Sequence, residues 1–318
     1  MRCAWPLMAL ASLLVAGCAP PVASTLPAHT ASFSPPTTMP TVMVTRTPTA
    51  VATRTPTPIA TPQLIPTEDV QTVTFTIVYD NNRYDERLQT AWGFACLVES
   101  GKTTVLFDTG GDGPMFLGNM VKLDLDPQAI DAIVLSHAHG DHTGGLRALL
   151  SMGAQPTVYV PASFSSSFKD DVRVRTELVE VAGPMEILPR FYTTGEVGSG
   201  IVEQALVVET GAGLVVVTGC AHPGVVEMVR RARDARRARE GVGSEVYLVM
   251  GGFHLGSASR QRIEGIIADF RDLGVRKVAP CHCTGDLARE MFAEAFGADF
   301  VPAGVGRVIS IGLEGWSE

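Results

Sequence analysis

The sequence of 318 residues lacks several features that would assign it to common classes of protein. It contains no Gly-x-x-x-x-Gly-Lys-Ser/Thr loop and no Gly-x-Ser-x-Gly turn, which excludes a P-loop nucleotide site and the serine nucleophile of α/β-hydrolases. Charged residues are scarce, at 18%, and the formal net charge is −8. The arginines between positions 230 and 239 are expected on the solvated face of a helix, so with a negative net charge no nucleic-acid partner is expected.

Residues 19–67 have neither glycine nor acidic residues, yet they hold 11 of the 21 prolines. Their only charges are Arg46 and Arg54, and threonine is their commonest residue. A segment of this composition has too little apolar surface to form a core, and its prolines favour extended backbone. We therefore predict a disordered Thr/Pro-rich tether over residues 19–67.

Residues 1–18 have the pattern of an export signal. Arg2 precedes the apolar run Leu7–Ala16, which at about ten residues is too short to cross a bilayer but matches the apolar part of a signal peptide. The junction Val15-Ala16-Gly17-Cys18 resembles the lipobox of bacterial lipoproteins, which implies lipidation of Cys18. An uncleaved N-terminal anchor is the alternative. Both predict an exported protein, anchored to a membrane and facing the periplasm or the cell exterior.

Residues 68–318 have the pattern of one globular domain. Phe94–Glu99 and Thr103–Phe107 predict a first hairpin, and Leu206–Glu209 with Leu214–Thr218 a second. Later strand-like runs alternate with helical ones, an order that predicts an α/β fold with covered sheets. We also expect a single helix over Thr143–Met152, a turn over Gly110–Pro114, and loops over Asp80–Ala91 and Ser163–Gly200.

Six of the seven histidines lie in four short motifs, and each motif follows an apolar, strand-like run; His29 lies in the tether. Strand ends are where α/β folds build their sites, so we expect these motifs to meet. The motifs are His137-Ala138-His139-Gly140-Asp141-His142, Gly219-Cys220-Ala221-His222, Gly251-Gly252-Phe253-His254 and Cys281-His282-Cys283.

The first of these motifs carries the clearest chemical signal. His137 and His139 are two residues apart on extended chain, so their imidazoles share a face. Gly140 is expected to permit a sharp turn, from which Asp141 and His142 project. Imidazole nitrogen with carboxylate oxygen suits zinc, and also iron or manganese.

Together with Phe107-Asp108-Thr109-Gly110, this motif resembles the signature of the metallo-β-lactamase superfamily. The later motifs are similar to those of the subgroup that contains the archaeal 7,8-dihydropterin-6-yl-methyl-4-(β-D-ribofuranosyl)aminobenzene 5′-phosphate synthase. The resemblance covers roughly residues 72–312. It implies an αββα sandwich with one or two divalent metal ions, zinc above iron or manganese, at one edge of the sheets.

The resemblance also implies the ligands. His137 and His139 would bind one metal, and Asp141, His142 and His282 the other. The chain departs from the broader superfamily where a bridging Asp is usual, because Thr218-Gly219-Cys220 stands there instead. Either Cys220 or His222 replaces a missing ligand, or the site is less symmetric than in the broader superfamily. We favour His222, as the third ligand of the first metal, because Cys220 directly follows a strand and has the character of a buried apolar thiol.

Three residues are assigned other roles. Asp108 resembles the superfamily's structural aspartate, which braces the metal-binding loop by hydrogen bonds. His254 has no place among the six ligands, which leaves it to position substrate, to act as a general acid or to support a ligand. Asp141 is expected to orient the attacking water as well as to bind metal.

The cysteines are not expected to form a disulfide framework. Cys220, Cys281 and Cys283 lie beside predicted ligands, and a ring closed between Cys281 and Cys283 would be strained. Cys96 lies within an apolar strand and is assigned to the core.

The leading functional hypothesis is an exported metal-dependent hydrolase, in which a metal-bound hydroxide attacks an ester, lactone or phosphoester-type small molecule. The alternative is the transferase activity for which the similar subgroup is named, although export argues against a cytoplasmic phosphorylated substrate. A non-catalytic metal-binding sensor is the third hypothesis.

Overall fold

The computed structural model describes residues 72–240, 245–312 and 315–317. The predicted signal peptide, 1–18, and the tether, 19–67, lie outside the described residues, as does the start of the predicted domain at residue 68. Within the described part of the chain, no helix is long and apolar enough to cross a membrane.

The first sheet has eight strands in the order β14-β13-β1-β2-β3-β4-β5-β6. Strands β1 to β3 and β13 pair antiparallel, whereas β3 to β6 are parallel. The strands are β1 Val73–Tyr79, β2 Ala95–Ser100, β3 Thr103–Phe107, β4 Ala132–Val134, β5 Thr157–Pro161, β6 Leu178–Val181, β13 Val308–Gly312 and β14 Gly315–Ser317.

The second sheet has six strands in the order β12-β11-β10-β9-β8-β7. Strands β10 to β12 are parallel and β7 to β10 antiparallel. The strands are β7 Met185–Leu188, β8 Phe191–Thr193, β9 Leu206–Thr210, β10 Gly213–Thr218, β11 Val246–Gly252 and β12 Lys277–Cys281.

Helices cover the outer face of each sheet. Apolar residues of α1 and α3 pack with one face of the first sheet, and residues of α5, α6 and α7 pack with the second. The helices are α1 Gly113–Lys122, α2 Gly140–Thr143, α3 Leu146–Ser151, α4 Ser166–Arg173, α5 Val225–Glu240, α6 Arg260–Asp272 and α7 Asp286–Phe296.

Alternation along the strands builds the core between the two sheets. In β10, Val215 and Val217 face the first sheet, whereas Leu214 and Val216 face the helices. Successive side chains of a strand point to opposite faces, so one apolar strand serves two layers. The result is the predicted αββα sandwich, which the structure confirms.

The parallel strands deliver the histidine motifs to one edge. Strand β4 is followed by His137, β10 by Cys220, β11 by His254 and β12 by His282. Because carboxyl ends of parallel strands lie at the same edge of a sheet, these side chains meet. Strand β1 contributes Asp80 in the same way.

Three local predictions were wrong, and the first is the loop expected over Ser163–Gly200, which contains helix α4 and strands β6, β7 and β8. The expected helix over Thr143–Met152 is interrupted at Gly144-Gly145, where the Gly145 N–H donates to the Gly110 carbonyl at 3.3 Å instead of extending a helix. The expected turn at Gly110–Pro114 runs into α1, because Asp112 caps that helix through the Met115 N–H and Pro114 occupies its first turn.

Phe292 anchors the helical layer beneath the Gly251–His254 motif. Its ring centroid lies 5.5 Å from that of Phe253 and 5.7 Å from that of Phe270, and the side chain is fully buried. Phe292→Ala is expected to lower the free energy of unfolding by about 3 to 5 kcal/mol, because it opens a cavity. Chemical denaturation measures this loss. Phe296→Ala, in the partly buried last turn of the same helix, should lose clearly less.

Candidate metal centre

Three histidines form the first donor group. The ligand atoms of His137, His139 and His222 all lie within 4.8 Å of one another, and His137 Nε2 is 3.0 Å from His139 Nδ1. His222 Nε2 is buried and has no hydrogen-bond partner among the described residues. A buried polar atom without a partner is costly, so this nitrogen fits a metal ion.

Asp141, His142, Cys220 and His282 form the second donor group. Cys220 Sγ is 3.3 Å from His142 Nε2 and 3.4 Å from His282 Nε2. Asp141 Oδ2 lies 3.5 Å and 3.6 Å from the same two nitrogens. Donors around a tetrahedral zinc ion are about 3.3 to 3.6 Å apart at ordinary bond lengths, so the group has the dimensions of a four-ligand site.

Hydrogen bonds fix which nitrogen faces the centre in three of the histidines, His137, His142 and His282. Asp108 Oδ2 is 2.7 Å from His142 Nδ1 and also accepts from the Ser136 hydroxyl at 2.7 Å. Ser136 Oγ in turn lies 2.8 Å from His137 Nδ1. Asn81 Oδ1 lies 2.9 Å from His282 Nδ1. With each Nδ1 occupied, each Nε2 is left for a metal, an arrangement typical of metal-binding histidines.

Burial keeps most of these imidazoles neutral. It lowers the pKa of His282 to about 3 and that of His222 to about 4, and it lowers the pKa of His137 as well. The neutral imidazole is the form that binds metal. Burial acts the same way on His142, but Asp108 and Asp141 outweigh it and raise the pKa of His142 to about 10.

Glu203 holds the loop that carries Cys220 and His222. Its carboxylate, fully buried, accepts the backbone N–H groups of Cys220, Ala221 and His222 at 2.9, 2.8 and 2.9 Å. Ala221 has φ of 61°, a conformation that side chains other than glycine rarely adopt. The three hydrogen bonds hold the loop in this shape.

Asp80 plays a similar part at the other end of the centre. Its fully buried carboxylate accepts the His282 N–H at 3.1 Å and the Asn82 N–H at 2.6 Å. Two side chains, Asp80 and Asn81, therefore fix the backbone and the ring of His282.

Buried negative charge accumulates here, and its ion-pair partner is an imidazole, that of His142, 2.7 Å from Asp108. Asp80, Asp108 and Glu203 are fully buried, and none of them forms an ion pair with a lysine or arginine of the described chain. Burial raises the pKa of Asp80 to about 6 and that of Glu203 to about 7. Buried carboxylates in this number favour a bound cation.

His254 and Cys283 complete the surroundings. The His254 ring centroid lies 4.3 Å from that of His222, and the side chain is exposed. Cys283 is buried, and its Sγ lies 3.6 Å from the Cys220 carbonyl oxygen. All four cysteines of the described chain are free and buried, and Cys96 is fully buried in the core.

The structure brings all six predicted ligands together and places Cys220 among them. Cys220 is not an apolar thiol standing outside the centre, as its position after a strand suggested, because its sulfur contacts two ligand nitrogens. Cys220 and His222 both contribute, one to each donor group. Asp108 braces the loop by hydrogen bonds, as its resemblance implies.

Sequence reasoning missed Glu203, Asp80 and Asn81. Asp80 and Asn81 are part of a run of three polar residues directly after strand β1, and this run by itself indicates only the start of the expected loop over Asp80–Ala91. Glu203 lies in a loop between the bridge residue Val197 and strand β9, and no pattern around it indicates burial. Its role follows only from the fold.

Gly219 is required because the chain before Cys220 passes directly over Ser136. A Cβ at this position would lie 2.2 Å from Ser136 Oγ and 2.9 Å from Asp108 Oδ2. Gly219→Ala should displace the hydroxyl that orients His137 and weaken metal binding about 10- to 100-fold. A competition titration with a chromophoric chelator measures the affinity.

Gly140→Ala is the matched control, since a Cβ there meets no atom within 4 Å. The chain does turn at Gly140, from extended backbone at His139 into helix α2, and it does so without a positive φ. Equal metal affinity in the two variants would contradict the role given to Gly219.

Comparisons with known proteins agree with this geometry. The family model of the metallo-β-lactamase superfamily matches residues 93–234. The 7,8-dihydropterin-6-methyl-4-(β-D-ribofuranosyl)-aminobenzene-5′-phosphate synthase of Methanocaldococcus jannaschii is 30% identical over 284 residues, covering 74% of this chain and 95% of that protein.

Solved structures show the same similarity. The crystal structure of Tm1679, a metal-dependent hydrolase of the β-lactamase superfamily, is 28% identical, with a TM-score of 0.62 over 76% of this chain and 99% of its own. The metallo-β-lactamase fold protein YhfI from Bacillus subtilis, 14% identical, has a TM-score of 0.56 over 74% of this chain and 98% of its own, which shows a shared fold.

Proposed function

The chain belongs to the metallo-β-lactamase superfamily, and on that premise we propose that it is a metal-dependent hydrolase of an ester, lactone or phosphoester-type small molecule. The observation that carries the proposal is the meeting of two donor groups at one edge of the sandwich. The similarity to a metal-dependent hydrolase over nearly the whole of that protein supports it.

The donor atoms favour zinc over iron or manganese. The group of His137, His139 and His222 offers three nitrogens, and the second group adds a thiolate to nitrogen and carboxylate donors. Thiolate and imidazole are ligands that zinc prefers. When bound, such ions polarise the substrate oxygen and lower the pKa of a coordinated water.

Asp141 orients the attacking water in this proposal. Its Oδ2 belongs to the second donor group, and the side chain keeps 21% of its surface exposed. The exposed part of the carboxylate accepts a hydrogen bond from the water and directs it. Burial would raise the pKa of Asp141, but the hydrogen bond and charge of His142 hold it well below its usual range, so the carboxylate stays ionised and does not take up the proton.

Trp92 gives the open side of the site an apolar surface. Its ring centroid is 4.9 Å from that of His282, and 60% of the side chain is exposed. An exposed indole beside a metal ligand offers a flat surface to an apolar or aromatic part of the substrate.

A panel of esters, lactones and phosphodiesters tests the proposal. We expect turnover of at least one class that is abolished by a chelator and restored by zinc. Turnover that persists after complete metal removal would contradict it. Absence of turnover across the panel, with metal bound, would favour the non-catalytic sensor instead.

The synthase reaction is the second candidate, because the similar Methanocaldococcus jannaschii protein is a synthase and the match covers 95% of it. In such a reaction the amine of an aminobenzene ribofuranosyl phosphate would bond to the 6-methyl carbon of a dihydropterin activated there by a leaving group, and the leaving group and one amine proton would depart. Incubating the purified protein with both compounds tests this directly. Formation of the coupled product, together with no hydrolysis in the panel, would replace the hydrolase proposal.

Export is a further part of the proposed function. If Cys18 is lipidated, the protein is anchored to a membrane outside the cytoplasm, and zinc is acquired there. Cys18→Ala is expected to release the protein from the membrane fraction of its cells. Unchanged membrane association would contradict lipid anchoring.

A further inference from the structure

A third group of donors adjoins the two already described. The ligand atoms of Cys220, His254 and Cys283 lie within 4.8 Å of one another. Cys283 is buried, with 7% of its surface exposed. His254 is exposed, and its ring centroid lies 4.3 Å from that of His222. Neither Cys283 nor His254 is used by the hydrolytic scheme above.

The backbone is built to bring these side chains together. A Cβ on Gly252 would lie 2.8 Å from Cys283 Sγ, so only glycine lets the thiol approach Cys220. His254 has φ of 53°, a conformation that residues with a side chain rarely adopt. The Phe253 N–H donates to Thr284 Oγ1 at 3.1 Å, which ties the His254 loop to the Cys283 loop.

Charge and donor chemistry both favour a cation that prefers sulfur. Two thiolates neutralise one divalent ion, and imidazole completes a donor set of the kind that zinc takes. The buried carboxylate of Glu203 lies behind this group, holding the Cys220 and Ala221 N–H groups. A divalent ion held by two deprotonated thiols and a neutral imidazole adds no net charge to this buried region.

We propose that Cys220, His254 and Cys283 form a third cation position, for Zn²⁺ or another divalent ion that prefers sulfur, and that it shares the Cys220 thiolate with the group of Asp141, His142 and His282. His254 is then a ligand, in place of the substrate-positioning, general-acid or supporting role expected from the sequence. Its exposure leaves the remaining coordination positions open to solvent. The proposal holds for either of the two candidate reactions.

Metal titration of the full chain tests the third position without any substrate. Protein that has been stripped by chelator and kept reduced is titrated with Cd²⁺, and bound metal is counted by elemental analysis. We expect three ions per chain in the wild type, and two in both Cys283→Ser and His254→Gln. Cys96→Ala, which removes a buried thiol from the core, should still bind three.

Co²⁺ gives a second measurement that counts sulfur ligands. Cobalt bound by thiolate absorbs in the near ultraviolet, and this absorption should fall by at least half in Cys283→Ser. His254→Gln changes an exposed side chain, so its result stands even where Cys283→Ser folds poorly.

Two results would overturn the third position. One is a count of two ions in the wild type and in Cys283→Ser, with equal cobalt absorption. The other is a thiol titration that finds two fewer thiols before a reductant is added than after it. That result would show a disulfide between Cys220 and Cys283 instead of a metal position. Neither result bears on the proposed hydrolase, which is tested by metal-dependent turnover. Conversely, a protein that binds three ions but has no turnover would refute the hydrolase and leave the third cation position standing.

Discussion

Replacing His139 with alanine is expected to lower turnover by at least about 1,000-fold while leaving the folded protein nearly as stable as the wild type. His139 offers a ligand atom to the first donor group, 3.0 Å from His137 Nε2, yet its side chain is exposed. A catalytic metal contributes several kcal/mol to transition-state stabilisation, and each 1.36 kcal/mol is tenfold in rate. Initial rates on the best substrate of the panel measure the loss.

The stability of His139→Ala should change little because the interactions made by its backbone remain. Its carbonyl oxygen still accepts the His142 N–H at 3.1 Å and the Thr143 N–H at 3.2 Å, at the start of helix α2. Met152→Ala, at an exposed position nearby in the chain, is the control and should keep full activity. A His139→Ala enzyme with a tenth or more of wild-type turnover would contradict the assignment.

Replacing Glu203 with alanine is expected to lower the free energy of unfolding by at least about 3 kcal/mol. Three backbone N–H groups would lose the carboxylate that accepts their hydrogen bonds. Because Glu203 is fully buried, water does not replace the carboxylate, and each unpaired buried donor costs about 1 to 3 kcal/mol. The loop of Cys220 and His222 should also lose its shape, so metal affinity should fall with stability. Denaturant titration of the metal-free protein measures the first effect separately.

Glu196→Ala is the matched control for Glu203. Its carboxylate accepts a single backbone N–H, that of Ser163 at 2.7 Å, and the residue is only partly buried. Its loss should cost no more than about 1 kcal/mol. If the two variants lose equal stability, Glu203 does not hold the loop as described.

The strands at the centre of each sheet could be predicted because their patterns are strong. Strand β10 has five of six residues buried and lies next to a Gly211-Ala212-Gly213 turn, so the hairpin with β9 is encoded locally. The same holds for β2 and β3. In the parallel half, apolar runs such as β11 are buried along their whole length.

The elements within the expected loop of 163–200 could not be predicted in the same way. Strands β6 and β7 lie at the edges of the two sheets, and each has only one buried residue in four. An edge strand has little apolar patterning, because it has a partner on one side only. Helix α4 likewise has a single buried residue, Val172.

The candidate site could likewise be predicted only in part. His137, His139, Asp141 and His142 lie within six residues, and their spacing alone indicates metal binding. The contact of Cys220 with His142 joins residues that are 78 positions apart in the sequence. Asp80 accepts the N–H of His282, which is 202 positions away. Such contacts depend on the packing of two sheets, which no local pattern describes.

The most direct test of the metal centre is turnover measured against metal bound per chain. Chelator-stripped protein is loaded stepwise with Zn²⁺, and rate and metal content are determined on the same samples. The geometry predicts no turnover without metal and a rise as the groups of His137, His139 and His222 and of Asp141, His142, Cys220 and His282 fill. A rate that is independent of bound metal would contradict a catalytic metal centre.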